Sequence, residues 1–258
     1  MKRRRAGVSV VTCALFLSLT AAAPPSRRAA PGLTPDRVHF DLQGLAKKAR
    51  GETRPGVPWQ EDAEPGLTTE PPSVWFRLDD NRSGSASYRR LVIYPAPAFR
   101  ELFVKAGEEK GNPIDTLANL VKSGSTAVTG EIPILPRIEA VQILKARAKL
   151  LSFHGGKGIA FLTAYAQEPM PVGNDSLVYT FQGLTDDGRY WVALYYPVSA
   201  SVLPKTVAES PELKDQTGFE EHFGVYIEKT ARALEDPQTV YTPDLAKLDA
   251  LVRSIEIR

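Results

Sequence analysis

The pattern of apolar and polar positions divides the chain after residue 35 into short strands and helices. Apolar residues that alternate with polar ones, or run together for a few positions, predict strands; these lie at 38–42, 74–78, 90–94, 145–153, 159–167, 177–183, 190–198 and 254–257. Apolar residues spaced three and four apart predict amphipathic helices; these lie at 97–103, 113–123, 219–234 and 245–252. Residues 138–144 also fit a helix.

The strand at 190–198 is apolar on both of its faces. One face carries Tyr190, Val192, Leu194 and Tyr196, and the other carries Trp191, Ala193 and Tyr195. A strand of this kind is covered on both sides. The sequence therefore predicts a single α+β domain, built on a mainly antiparallel sheet with helices or long loops over each face.

Residues 1–23 have the pattern of a secretory signal peptide. Four basic residues, Lys2 to Arg5, precede an apolar run at Val8–Leu19 and the small residues Ala21–Ala23. The run is shorter than the about 20 residues that cross a bilayer. We expect a bacterial protein exported to the periplasm or outside the cell, with no transmembrane segment once this peptide is removed.

Three segments follow the predicted signal peptide. Residues 24–35 are rich in Pro, Ala and Arg and predict a flexible linker. Residues 36–258 form the predicted domain, interrupted by a Pro/Gly-rich loop at 51–72 that contains Trp59.

Charge and cysteine content narrow the function further. The chain has 32 Lys and Arg against 30 Asp and Glu, and removing the four basic residues of the signal leaves a net charge of −2. This near-neutral balance argues against a nucleic-acid partner. The one cysteine, Cys13, lies inside the predicted signal, so stability of the domain must come from its core rather than from disulfides.

The stretch SFHGGKGIAF, residues 152–161, contains glycines that three functions could use. His154-Gly155-Gly156 is similar to an oxyanion-hole loop, but the sequence has no Gly-x-Ser-x-Gly nucleophile elbow. Gly156-Lys157-Gly158 lacks the spacing of a phosphate-binding loop, and a strand follows it where a helix is required. We interpret the stretch as a hairpin turn.

Candidate chemistry is sparse elsewhere in the chain. The three histidines, His39, His154 and His222, lack the close spacing of metal ligands, so neither a metal nor another cofactor is expected. Adjacent carboxylates at Asp186-Asp187 are typical of a turn that Gly188 completes. Aromatic strand residues could belong to a core or line a ligand groove; they are Tyr165, Tyr179, Phe181, Tyr190, Trp191, Tyr195 and Tyr196. His154 and the strand residue Gln182 are the candidate ligand-binding residues.

Two stretches of the chain resemble known protein families. The stretch GIAFLTAYAQEPMPVGNDSLVYTFQGLTDDGRYWVALYYPVS resembles a family of uncharacterised bacterial exported proteins and lipoproteins, which implies no activity and supplies no site residues. The chain departs from its lipoprotein members because it has no cysteine to lipidate after the signal. The ending LAKLDALVRSIEI is similar to PsbP/Mog1-like domains, which implies a sheet sandwiched between helices and a role in binding partners.

These observations predict an exported, non-catalytic binding or accessory protein of the cell envelope, whose partner is an envelope protein or a small ligand. The alternative is a secreted hydrolase whose site is assembled from distant loops. The candidate catalytic residues of this hydrolase are His154, Asp186, Asp187 and His222. A purely structural envelope protein, marked by a large exposed apolar patch, is a third hypothesis.

Overall fold

Seven strands form one antiparallel sheet within the described residues, which in this computed structural model are 32–79, 89–108, 110–126 and 130–258. The order across the sheet is β2-β3-β4-β8-β7-β6-β5. The strands are β2 (Ala49–Arg54), β3 (Ser73–Leu78), β4 (Arg90–Pro95), β5 (Val141–Phe153), β6 (Gly156–Ala166), β7 (Val178–Thr185) and β8 (Tyr190–Pro197). The predicted signal peptide lies outside the described residues, and Leu33–Arg258 form one compact unit.

Two pairs of helices cover opposite faces of this sheet. The helices α1 (Ala96–Lys105) and α2 (Pro113–Ser123) contribute to one apolar cluster. The helices α3 (Gln216–Glu235) and α4 (Leu245–Arg253) contribute to the other. The predicted α+β architecture, with helices over both sides of an antiparallel sheet, is confirmed. None of the described helices has the length and hydropathy that crossing a bilayer requires.

The two apolar faces of β8 belong to different cores, as the sequence predicts. One core contains Tyr190, Val192, Leu194 and Tyr196 and lies on the side of α3 and α4. The other contains Trp191, Ala193 and Tyr195 and lies on the side of α1 and α2. Because β8 lies in the middle of the sheet, its side chains connect both layers of helices to the strands.

The predicted bounds of α2 agree with the structure, those of α4 differ by one residue, and α3 begins three residues earlier than predicted. Asn112 caps α2, since its side-chain oxygen accepts a hydrogen bond from the backbone nitrogen of Asp115 at 3.0 Å. Gly124 ends this helix in the left-handed conformation, with φ of 68°. Asp244 caps α4 by accepting a hydrogen bond from the backbone nitrogen of Ala246 at 2.9 Å.

The chain ends differ from the prediction. The first strand is only β1 (Val38–His39), and the closing strand is β11 (Glu256–Ile257); the two pair with each other outside the main sheet. A second short pair joins β9 (Ser199–Ala200) to β10 (Tyr241–Thr242). The alternating pattern indicates which residues are extended, but it does not specify which strand each one pairs with.

Two further predictions need correction. The loop predicted at 51–72 begins only after Arg54, because β2 occupies Ala49–Arg54 at the edge of the sheet. Three of its six residues are charged and none is a large apolar residue, so it carries no apolar signal. Strand β5 begins at Val141 rather than at Lys145, so residues 141–144 are extended and not helical. Register shifts after Gln142 and after Ala146 break the regular alternation in β5 and obscure its period in the sequence.

The glycines of SFHGGKGIAF serve a turn and close packing, which confirms the hairpin interpretation. His154 and Gly155 connect β5 to β6, and Gly155 has φ of 73°, which glycine adopts without strain. Gly158 lies opposite Gly183 of β7. A Cβ atom at Gly158 would come within 2.2 Å of the backbone oxygen of Gln182. The pair of glycines therefore allows the two strands to approach closely.

We expect the variant Gly158→Ala to lose at least about 2 kcal/mol of unfolding free energy, because backbone atoms that cannot rotate away must move. Gly155→Ala is the matched control: a Cβ there meets open space, so only the positive φ contributes, at about 1 kcal/mol. Urea unfolding measures both values. Equal losses in the two variants would contradict the close-packing argument.

Candidate functional site

Gln182, one of the two candidate ligand-binding residues, is buried in the sheet with its amide group hydrogen bonded at both ends. Its Oε1 accepts hydrogen bonds from Trp191 Nε1 at 2.8 Å and from the backbone nitrogen of Leu135 at 3.3 Å. Its Nε2 donates to Thr180 Oγ1 at 2.8 Å. Gln182 does not line the two grooves beside residues 131–140; it contributes to them by holding Leu135 in place.

Leu135 belongs to an irregular segment, residues 131–140, that buried polar groups hold against the sheet. The Tyr195 hydroxyl donates to the carbonyl of Leu135 at 3.1 Å. The Oε1 of Gln142 accepts a hydrogen bond from the backbone nitrogen of Ile132 at 2.9 Å. Arg137 forms an ion pair with Glu108 at 2.6 Å. These contacts hold the segment in a defined position although it contains no helix or strand. We call this segment the 131–140 wall.

The 131–140 wall borders two adjoining grooves with volumes of about 420 Å³ and 680 Å³. Ile138, Ala140 and Tyr165 line both of them, and we call the pair the trough. The first groove extends toward α2 through Pro113 and Thr116; the second extends through Met170 to Val207. A single ligand site of ordinary size is about 300–1,000 Å³, so the trough has room for an extended ligand.

More of the trough's lining is apolar than polar, and its charged side chains are Glu131, Arg137, Glu139 and Glu168. Tyr165 Oη accepts a hydrogen bond from Gln142 Nε2 at 3.4 Å. Burial raises the pKa of the Tyr165 phenol to about 12. The carboxylates of Glu131, Glu139 and Glu168 are solvent-exposed. An apolar cleft with a small number of polar groups is the usual form of a ligand site.

The second candidate, His154, is exposed on the β5–β6 turn rather than in a groove described here. Its backbone nitrogen donates a hydrogen bond to the carbonyl oxygen of Ile255 at 3.0 Å, and this contact places the turn beside β11. The Arg258 side chain, which hydrogen bonds to Glu256, holds the pKa of that carboxyl below its usual value, and the nearby His39 and His154 lower it further.

The structure brings only some of the candidate catalytic residues of the hydrolase hypothesis close together. The backbone nitrogen of Asp186 donates to the carbonyl of Gly155 at 2.8 Å, so the turns that carry Asp186 and His154 are in contact. Asp187 stabilises its own turn by accepting a hydrogen bond from Thr185 Oγ1 at 2.7 Å. His222 lies on α3, over the face of the sheet opposite to α2. Within the described ranges, no group of three or more His, Cys, Asp or Glu side chains could hold a metal ion.

Comparison with protein-family models, with curated proteins and with solved structures finds no match to this chain. The function must therefore be argued from the trough and from the residues that build it.

Of the residues that line the trough, the sequence pattern predicts only one as a ligand-groove candidate. Tyr165, one of the aromatic strand residues that could line a ligand groove, lines the trough. The other six are buried in the two cores. The pattern does not predict the 131–140 wall, because residues 131–137 have no helical or strand period and residues 138–140 fit a helix instead. The prolines Pro133 and Pro136, which bracket Ile134 and Leu135, are the only local signal of an ordered irregular segment.

The variant Gln182→Leu is expected to lose about 3 kcal/mol of unfolding free energy, because it leaves the Trp191 and Leu135 donors buried without an acceptor. Gln238→Leu is the control, since Gln238 is exposed, and its loss should stay below about 0.5 kcal/mol. Urea unfolding measures both variants, and hydrogen exchange at 131–137 should rise only in Gln182→Leu. Unchanged exchange there would show that other contacts hold the wall.

The raised pKa of Tyr165 predicts a pH dependence of stability. The pKa of the phenol is about 12 in the folded state and about 10 in the unfolded state, so the folded state retains this proton more strongly. The resulting stability is present below the unfolded pKa and is lost as the pH rises toward the folded one. Between about pH 9 and pH 11 the unmodified protein should lose about 1 kcal/mol more than Tyr165→Phe. Parallel losses in urea unfolding would contradict the assignment.

Proposed function

We propose that this chain is an exported, non-catalytic binding module of the cell envelope, which holds an extended ligand in the trough. Export is supported by the basic, apolar and small-residue order of residues 1–23. The binding role is supported by one observation: a pair of adjoining grooves, more apolar than polar, that share Ile138, Ala140 and Tyr165.

The hydrogen bonds that hold the 131–140 wall favour a role in ligand binding over a role in stability alone. Hydrogen bonds from Leu135 and Ile132 to side chains of the sheet fix the wall before any ligand arrives. A preorganised cleft loses less conformational entropy on binding, and this increases affinity. The exposed carboxylates of Glu131, Glu139 and Glu168 favour ligands with basic groups beside apolar ones.

Thermal unfolding of the purified protein against a panel tests this proposal. The panel contains short peptides with and without basic residues, muropeptides, oligosaccharides and divalent metals. A ligand at about a hundred times its dissociation constant stabilises the folded state by about 2.7 kcal/mol. We expect an increase in Tm of about 5 °C or more for at least one basic peptide or muropeptide.

Two variants locate the binding. Ala140→Trp places a large side chain where the two grooves meet and should abolish the increase in Tm. Ala246→Trp, at an exposed position of α4 outside the trough, should retain it. No shift with any compound, or an equal shift in both variants, would contradict the proposal. Hydrolysis of a panel compound that His154→Ala abolishes would favour the hydrolase hypothesis.

A further inference from the structure

A separate groove of about 420 Å³ lies between α2 and the ends of β6 and β7, and we call it the α2 groove. It shares no lining residue with the second groove of the trough, and its floor is apolar. Ile114 and Val121 of α2 are buried in it, and Leu184 of β7 is half-buried. From Ile114 to Val121 the helix rises about 10 Å. The floor is thus long enough for a medium-length alkyl chain.

Two lysines give the α2 groove its charge. Lys122 at the end of α2 and Lys157 on β6 are exposed, and neither forms an ion pair with the residues that the structure describes. Arg100 also lines the groove, but it donates two hydrogen bonds to Asp115, at 2.7 Å and 3.2 Å. The positive charge of Lys122 also interacts favourably with the negative C-terminal end of the α2 dipole. Lys157 lies in a strand and has no such role.

One carboxylate, Asp186, belongs to the lining of the α2 groove. With Arg100 neutralised by Asp115, the two lysines and Asp186 leave about one positive charge facing the groove. A ligand with a single negative charge is compatible with this balance. A doubly charged phosphate monoester is disfavoured because it would meet the Asp186 carboxylate as well.

We infer that the α2 groove binds the anion of a single-chain carboxylic acid. Lys122 and Lys157 hold the carboxylate by charge-assisted hydrogen bonds, and the alkyl chain lies along Ile114, Ala118 and Val121. Burial of each methylene group tightens binding about fourfold, so the chain supplies most of the affinity and the lysines select the head group. This site goes beyond the proposed function, because it does not depend on the trough.

Titration calorimetry with decanoate and the purified protein tests the inference. Decanoate should bind, and decanol, which has the same chain without the charge, should bind more weakly. Lys157→Gln and Lys122→Gln should each weaken decanoate binding up to about fivefold, as expected for an exposed ion pair. Lys247→Gln, at an exposed position of α4, is the control and should change nothing.

Two further variants separate a specific site from general detergent-like binding. Asp186→Asn should tighten decanoate binding and admit decyl phosphate, because it removes the repelling carboxylate. Ala118→Trp, at an exposed helix position, should block the groove while circular dichroism shows an intact fold. Equal affinity for decanoate and decanol, no effect of Ala118→Trp, or no binding at all would overturn the inference. Ala140→Trp, which blocks the trough, should leave decanoate binding unchanged.

Discussion

Strand β8 buries large apolar side chains on both of its faces, and the rest of the structure depends on covering both. Trp191 and Tyr195 require a layer on one side, and Leu194 and Tyr196 require a layer on the other. Apolar surface removed from water contributes about 25 cal/mol per Å², so leaving either face open would remove much of the stabilisation of the fold. This need explains why helices from distant parts of the sequence pack on one sheet.

The face under α1 and α2 is only partly covered by helices, and the 131–140 wall covers more of it. An irregular segment lying on a sheet must satisfy its backbone groups without a regular ladder. Gln142, Gln182 and Tyr195 provide these hydrogen bonds from the sheet. The same arrangement creates the trough, because an irregular wall does not fill the space beside Tyr165 as a packed helix would. The candidate site is therefore a consequence of how this face is covered.

The other face is fixed to its helices by a different device. The Tyr179 hydroxyl donates to the Asp249 carboxylate of α4 at 2.9 Å, and Lys149 of β5 donates to the same carboxylate. Burial raises the pKa of the Tyr179 phenol well above its usual value, and the Asp249 carboxylate raises it further. At the edge of the sheet, the backbone nitrogen of Arg147 donates to Glu235 of α3. This contact and the irregular register of β5 protect an edge strand that could otherwise pair with another chain.

The sequence by itself determined the elements whose pattern is local. The two-sided strand β8, the turn at Asp186–Gly188, the bounds of α2, and the glycine turn after Phe153 follow from residues close together in the chain. Only the tertiary structure decided the pairing of β1 with β11, the edge position of the charged strand β2, and the 131–140 wall. The contact between Gln182 and Leu135 joins residues 47 positions apart. Local periodicity carries no information about such a contact, because it arises only when the folded sheet brings the two segments together.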